Sequence, residues 1–321
     1  MERAAERILI TGANGNLGRQ LVESLSGTPD QPASIPVRAL VRSERAAEQV
    51  RNLSTAQSPE VVIGDYTDET SMRQALTDCD VVVHLVGIIK EGGGATYEAA
   101  HEETCQVLAR CAAQAGVRRI IYLSIVGSRP DANNACLRSK GQAEAILEQG
   151  SVPVTVIRVP MVLGPDDIAA SALRKQAQAP FLLLVAGGRT MQQPIDSEDV
   201  LLAVRKCLEK NEGQNQFIDL GGPERLTHRD LITRVASLHG RKPFIVPIPM
   251  WLARGFARSL EKLLSNPPVT VAMLEVLQHD DRVDEARSCE TIGMTLKPLD
   301  STLKAYVGPD GQDSAKDSKH D

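Results

Sequence analysis

Glycines at positions 12, 15 and 18 stand between a short β-branched run and a helical sequence, a spacing that suits backbone wrapping closely round a diphosphate. The turn reads Thr11-Gly12-Ala13-Asn14-Gly15-Asn16-Leu17-Gly18. Gly12 and Gly15 permit a sharp turn and close approach to the ligand, while Gly18 lets the following helix lie against the strand. Amides exposed at the helix start then attract the anion. An ordinary glycine-rich loop could carry the same letters, but the strand before it and the helix after it favour a dinucleotide site.

A second strand, Val37–Val41, ends at Arg42, where binders of NAD commonly place an acid against the ribose hydroxyls. A guanidinium there can hold a 2′-phosphate through charge-assisted hydrogen bonds, with Arg19 assisting from the first helix. NADP(H) is therefore the preferred cofactor; Glu44, two residues on, keeps NAD(H) open, and a merely solvated Arg42 is the plainer alternative. Asp65 follows Val61-Val62-Ile63-Gly64 and is placed to accept from the adenine amino group, or else to cap a turn.

These residues require strands and helices in alternation to position them. Strands are predicted at Ile8–Thr11, Val37–Val41, Val61–Ile63, Val81–Val86, Ile120–Ser124 and Val154–Arg158, with helices over Tyr97–Ala115, stopped by Gly116, and Cys136–Gln149, ending at Gly150. Consecutive apolar positions predict strands covered on both faces, hence an α/β fold with a Rossmann-type doubly wound parallel sheet. The expected nucleotide-binding domain spans 1–160 and draws on elements from 190–222, including a helix over Asp199–Lys210. Past Arg158 the alternation loosens round Gly164-Pro165, Gly187-Gly188 and Gly221-Gly222-Pro223, giving a smaller C-terminal mixed lobe over 161–307. A polar tail, 308–321, is expected to be disordered.

The 321 residues are 42% hydrophobic and 24% charged with net charge −5, values of a water-soluble globular protein without broad attraction for nucleic acid. The six cysteines (Cys79, Cys105, Cys111, Cys136, Cys207, Cys289) and six histidines (His84, His101, His228, His239, His279, His320) show no zinc-like spacing and no Ser–His–Asp set, so no metal is expected. The charged opening Met1–Arg7 and the lack of a long apolar stretch lead to an expected cytoplasmic location.

Together with His84-Leu85-Val86-Gly87, the glycine turn resembles the extended and atypical short-chain dehydrogenase/reductases across almost the whole chain. Further strings resemble the branch related to the nucleotide-binding accessory subunit of mitochondrial NADH:ubiquinone oxidoreductase and its bacterial homologues. They are Cys136-Leu137-Arg138-Ser139-Lys140-Gly141, Ile157-Arg158-Val159-Pro160, Gln193-Pro194-Ile195-Asp196-Ser197-Glu198-Asp199-Val200 and Leu277-Gln278-His279-Asp280. The resemblance adds His84, Leu85, Val86, Gly87, Lys140 and Pro160 to the cofactor-binding residues. In that superfamily a Tyr and a Lys four residues apart face the nicotinamide, and a Ser from the preceding strand orients the carbonyl. Lys140 matches the Lys and Ser124 the Ser, but Cys136 stands at the Tyr position. A thiol is shorter than a phenol and does not place a proton at the same point.

In the lobe, residues 250–264 form an amphipathic pattern: Leu252, Phe256, Leu260 and Leu263 on one stripe, Arg254, Arg258 and Lys262 on another, with Trp251 at the start. One expectation is a helix whose apolar stripe packs on the lobe's core. The other is an interfacial helix touching anionic lipid or a membrane-protein partner, which would suit an apolar substrate and a membrane-associated location. Two functions compete: an atypical NADP(H)-dependent oxidoreductase using Ser124 and Lys140, and a non-catalytic dinucleotide-binding accessory or assembly factor of a respiratory or membrane-associated complex. An epimerase or dehydratase acting on a nucleotide sugar fits less well, because it too needs the missing phenol.

Overall fold

The computed structural model describes residues 6–28, 31–32, 35–210, 213–264, 267–276 and 278–309. Residues 1–5, Leu277 and all of the expected tail beyond 309 lie outside the described residues. In chain order the first half contains β1 (Ile8–Thr11), α1 (Asn16–Ser26), β2 (Val37–Val41), α2 (Glu44–Arg51), β3 (Glu60–Ile63), α3 (Glu69–Leu76), β4 (Val81–His84), α4 (Thr104–Ala115), β5 (Arg119–Ile125), α5 (Ala135–Glu148) and β6 (Val154–Val159). It continues with β7 (Val162–Leu163), α6 (Ile168–Gln178), β8 (Phe181–Val185), β9 (Met191–Gln192), β10 (Ile195–Asp196), α7 (Ser197–Glu209), β11 (Gln216–Asp219), β12 (Leu226–Thr227), α8 (His228–Leu238), β13 (Phe244–Ile248) and α9 (Met250–Leu263). The last helices are α10 (Val271–Val276), α11 (Glu285–Ile292) and α12 (Leu299–Val307).

The chain divides into two compact units, one formed by residues 1–158 with 204–218, the other by 159–203 with 219–321. In the first, seven strands run in the order β11-β6-β5-β4-β1-β2-β3. β1 pairs in parallel with β2 and β4, β2 with β3, and β4 with β5. Every residue of β1, β2 and β4 is buried, as apolar runs flanked by helices on both faces require. Leu9, Leu40, Val82, Ile120 and Val156 from five strands join Leu76, Leu108 and Leu147 from the helices in one core. Strand order reverses between β1 and β4, opening the crevice at their carboxyl ends where doubly wound sheets bind ligands.

Several boundaries differ from expectation. β4 stops at His84, so Leu85 and Val86 already turn away from the ladder. The long helix opens with a π-helical segment, Glu98–Glu103, capped by Tyr97, before α4 ends as expected at left-handed Gly116. α5 is capped by Gln149 in the right-handed region, so Gly150 is not a left-handed stop.

In the second unit β7 pairs with β10 and β8 with β13, both in parallel. Leu163, Leu173, Leu182, Leu184, Leu231, Val235 and Leu303 form its core. Gln193 ties this unit locally: its amide nitrogen donates to the carbonyls of Gly222 (3.0 Å) and Val283 (3.3 Å), and its amide oxygen accepts from Val283 N (3.1 Å). The expectation that the apolar stripe of α9 packs on this core is overturned. Only Ala253 and Ala257 of that helix are buried, while Leu252, Phe256 and Leu263 are exposed. Among the described residues no helix is long and apolar enough to cross a membrane.

Candidate functional site

At the end of β1, Gly12 has φ +72°, and a Cβ there would stand 3.1 Å from the Leu85 carbonyl carbon and 3.2 Å from Val86 N. A side chain at this point would meet the backbone leaving β4 as well as an unfavourable conformation. Gly18 answers to a different constraint: its Cβ would lie 2.3 Å from Gly12 O, so only glycine lets α1 approach the turn. Gly15 is the N-cap of α1, donates its amide to Gly12 O (3.0 Å) and offers no side chain to the first turn. A helix start left without a side-chain cap is a place where an anion can complete the hydrogen bonding. Asn14, Asn16, Leu17 and Arg19 belong to this turn, all at least partly accessible, whereas Thr11 is buried beneath it.

Beside the cradle, Arg42 is exposed at the end of β2 with its guanidinium carbon 5.8 Å from the ring centroid of Tyr66. No ion pair engages it among the described residues, while Glu44, the acid that kept NAD(H) open, is paired with Arg51. Asp65 is exposed and its Oδ1 accepts from Thr67 N and Thr67 Oγ1, both at 2.9 Å, which is the turn-forming alternative. Tyr66 itself was missed by sequence reasoning. Its hydroxyl donates to Leu40 O and accepts from Gly12 N, both at 3.2 Å, tying the glycine turn to β2, and burial pushes its pKa up.

A second cluster surrounds Lys140. The i,i+4 spacing puts Cys136 and Lys140 on one face of α5, whose N-cap Asn134 accepts from Leu137 N (3.1 Å). The buried Lys140 ammonium donates to Leu123 O (3.1 Å) and Val86 O (3.4 Å) and lies 4.5 Å from the Tyr122 ring centroid. Burial lowers its pKa, and nearby Cys105, Cys136 and Glu144 oppose that shift. Exposed Gly87 leaves the ammonium a clear side: a Cβ there would come within 2.9 Å of Nζ. Cys136 is fully buried, its thiol 3.6 Å from Ile88 O, and burial pushes its pKa up to about 11. At physiological pH it is therefore a neutral thiol, with its sulfur directed at a backbone carbonyl.

Two buried histidines complete this cluster. Thr11 Oγ1 and His84 Nδ1 are 2.6 Å apart, as the pairing of β1 with β4 dictates, and His84 stacks on Tyr122. His101, presented by the π-helical segment, accepts from Ile88 N at Nε2 (3.0 Å), which puts the ring proton on Nδ1. Burial, and secondarily the Lys140 charge, lowers both imidazoles to about 3, so both are neutral at physiological pH. His84 Nε2, His101 Nδ1, Ser124 Oγ and Ser128 Oγ are buried without a protein partner. Buried polar atoms are ordinarily satisfied, so these orphans, the two histidines among them beside Lys140, and a cradle that a Cβ would fill, fit residues completed by a bound molecule.

The structure thus brings the glycine turn, Leu85, Val86 and Gly87 together at the ends of β1 and β4, and gathers Ser124, Cys136, Lys140 and His84 round Tyr122. Pro160 directly follows β6 and falls in the second unit. Sequence reasoning missed Tyr66, His101 and Ser128. Of these only Tyr66 carried a signal, as an aromatic one residue past the predicted adenine contact.

A 3-2-1-4-5-6 strand order, extended here by β11, with a glycine cradle at the reversal point defines a dinucleotide-binding Rossmann-type protein. The chain belongs to the NAD(P)H-binding family, whose model matches residues 12–181. It is 26% identical to subunit 9 of the mitochondrial NADH dehydrogenase (ubiquinone) 1 alpha subcomplex of Arabidopsis thaliana, over 84% of this chain and 67% of the relative. It is 25% identical to the 4-hydroxy-2-methyl-3-oxo-4-farnesyl-3,4-dihydroquinoline-1-oxide ketoreductase of Stigmatella aurantiaca, covering 80% of each chain. Among solved structures, UDP-glucuronic acid 4-epimerase from Bacillus cereus shares the fold with a TM-score of 0.71 at 17% identity, over 94% of this chain and 98% of that one. The resemblance to short-chain dehydrogenase/reductases and to the complex I accessory subunit holds.

Proposed function

We propose that this chain is an NADP(H)-preferring oxidoreductase of atypical kind acting on an apolar substrate. The observation that carries the reading is the Lys140 ammonium held beside side-chain-free Gly87, with the Ser124 hydroxyl unpartnered nearby. Bound dinucleotide supplies the hydride. The turn from Gly12 to Gly18 holds its diphosphate, Arg42 takes the 2′-phosphate, and Lys140 binds the nicotinamide ribose. Ser124 donates to the substrate oxygen, and ordered water replaces the missing phenol as the proton source. An apolar substrate is supported by the farnesyl-bearing compound in the name of the Stigmatella relative.

A second reading, a dinucleotide-binding accessory factor of a membrane-associated complex, is favoured by Cys136, whose buried thiol is shorter than a phenol and is directed at Ile88 O (3.6 Å). It is supported by the complex I subunit among the relatives, and it assigns helix 250–264 to the membrane side. Thermal shift and substrate-dependent NADPH consumption separate these readings. The oxidoreductase gives a larger shift with NADPH than with NADH and turns over a lipophilic carbonyl compound, with rates abolished in Lys140→Met and retained in Cys136→Ser. Equal shifts, or a larger one with NADH, reject the NADP preference. Binding without consumption across lipophilic carbonyl substrates selects the accessory factor.

A further inference from the structure

α9 turns two alanines inward. Ala253 and Ala257 are its buried positions, Arg254 is anchored to Glu275 of α10 (3.1 Å), and Glu261 Oε1 accepts from Val271 N (2.8 Å). Those attachments hold the helix and leave its large apolar residues outward: Phe256 is 65% exposed, Leu263 79% and Trp251 70%. At helical spacing Leu252, Phe256 and Leu263 share one narrow arc, and Trp251, Arg258 and Lys262 share a neighbouring one. Neither Arg258 nor Lys262 has an ion-pair partner among the described residues.

β13, which leads into α9 through Pro249, repeats the same inversion. It pairs with β8 in parallel register, Phe181 opposite Phe244 and Leu183 opposite Val246. Alternation along β8 sends Leu182 and Leu184 into the core and Phe181 and Leu183 outward. Phe181 and Phe244 meet edge to face at 6.2 Å, yet are 69% and 66% exposed. Arg241 and Lys242, exposed and free of ion pairs among the described residues, immediately precede this strand.

We infer that the outer face of β8 and β13 together with α9 is a docking surface for a bilayer of anionic phospholipid. An amphipathic helix with outward Leu and Phe, a Trp at its start and free cations alongside is the build of an interfacial element. Its apolar side chains enter the boundary between headgroups and acyl chains, and Arg241, Lys242, Arg258 and Lys262 meet the phosphates. Charge complementarity selects this occupant over a second copy or another protein, because protein interfaces deplete lysine while anionic membrane surfaces attract such residues. The chain's net charge of −5 would oppose approach to such a surface, so attraction must be local to these cations. The inference stands whether or not the chain performs redox chemistry.

Trp251 is the only tryptophan of the chain, so its fluorescence reports on this surface alone. The full-length protein is titrated with vesicles of phosphatidylcholine, with and without 30% phosphatidylglycerol. The expected result is a blue shift and co-sedimentation with the anionic vesicles, weakened by salt. Arg258→Gln with Lys262→Gln should cost about 30-fold in apparent affinity, at roughly fivefold per cation. Leu252→Ser with Phe256→Ser should remove the shift, and so should Phe181→Ser with Phe244→Ser. Thermal stabilisation by NADPH in each variant checks that the protein is folded and tests the nucleotide reading separately. Emission unmoved by vesicles in protein that still responds to NADPH would overturn the inference. So would equal binding by wild type and variants, or a blue shift that follows protein concentration without lipid, which would assign the face to a second copy.

Discussion

The two units treat apolar residues in opposite ways. In the sheet unit β1, β2 and β4 are buried at every position, whereas β8 buries alternate residues and leaves Phe181 and Leu183 in the open. The contrast teaches that hydrophobic sequence serves two ends here, a core that positions the nucleotide cradle and a face that no part of its own unit covers.

Substitutions break this comparison most sharply at the cradle. Gly18→Ala should cost about 3 kcal/mol or more in urea unfolding, because its Cβ would stand 2.3 Å from Gly12 O, and should abolish NADPH binding by calorimetry. Next come neighbouring residues of one strand. Leu184→Ala, which empties part of the core, should lose about 2 kcal/mol or more, while Leu183→Ser should stay within about 0.5 kcal/mol by the same assay. Equal losses would show that the outer face is covered after all.

Acid should divide the units further. His84 and His101 titrate near 3 when folded and near 6.5 when unfolded, so the unfolded chain takes up protons first as pH falls through that window. The sheet unit therefore keeps its full stability above 6.5 and loses about 1.4 kcal/mol per pH unit per imidazole below it. Asp281 in the other unit runs the other way: burial raises its carboxyl from 3.8 to about 6, so acidification from 6 towards 4 favours the folded form. Hydrogen exchange measured separately on peptides of each unit should show protection falling in the first and holding in the second. Tyr66→Phe is the smallest effect, about 1 kcal/mol, since its hydroxyl bonds both Gly12 N and Leu40 O.

The alternation of apolar runs with helices made the sheet legible, because continuous burial leaves consecutive β-branched residues in sequence. Lys140 was read from the family resemblance, which sets a Lys four residues after the position that Cys136 holds here. Tyr66 showed only as an aromatic beside Asp65, its bonds to two strands hidden, and His101 not at all, since it depends on a π-helical segment that shifts the helix register. The outward turn of α9 was equally hidden: amphipathic spacing says which residues share a face, not what lies against it. Two alanines decided that, and alanine reads as neutral in a sequence.

Residues 204–218 belong with the sheet although the chain has by then passed through much of the other unit. Arg119 in β5 donates to the carbonyls of Leu208 and Lys210, so that returning stretch satisfies a buried guanidinium as well as supplying an extra strand. Excising the nucleotide half by a cut after β6 would remove these two acceptors of Arg119 and leave a raw sheet edge prone to pairing with other chains. A minimal binding fragment must instead keep 204–218 together with 1–158, although the native chain separates them by 45 residues of the other unit.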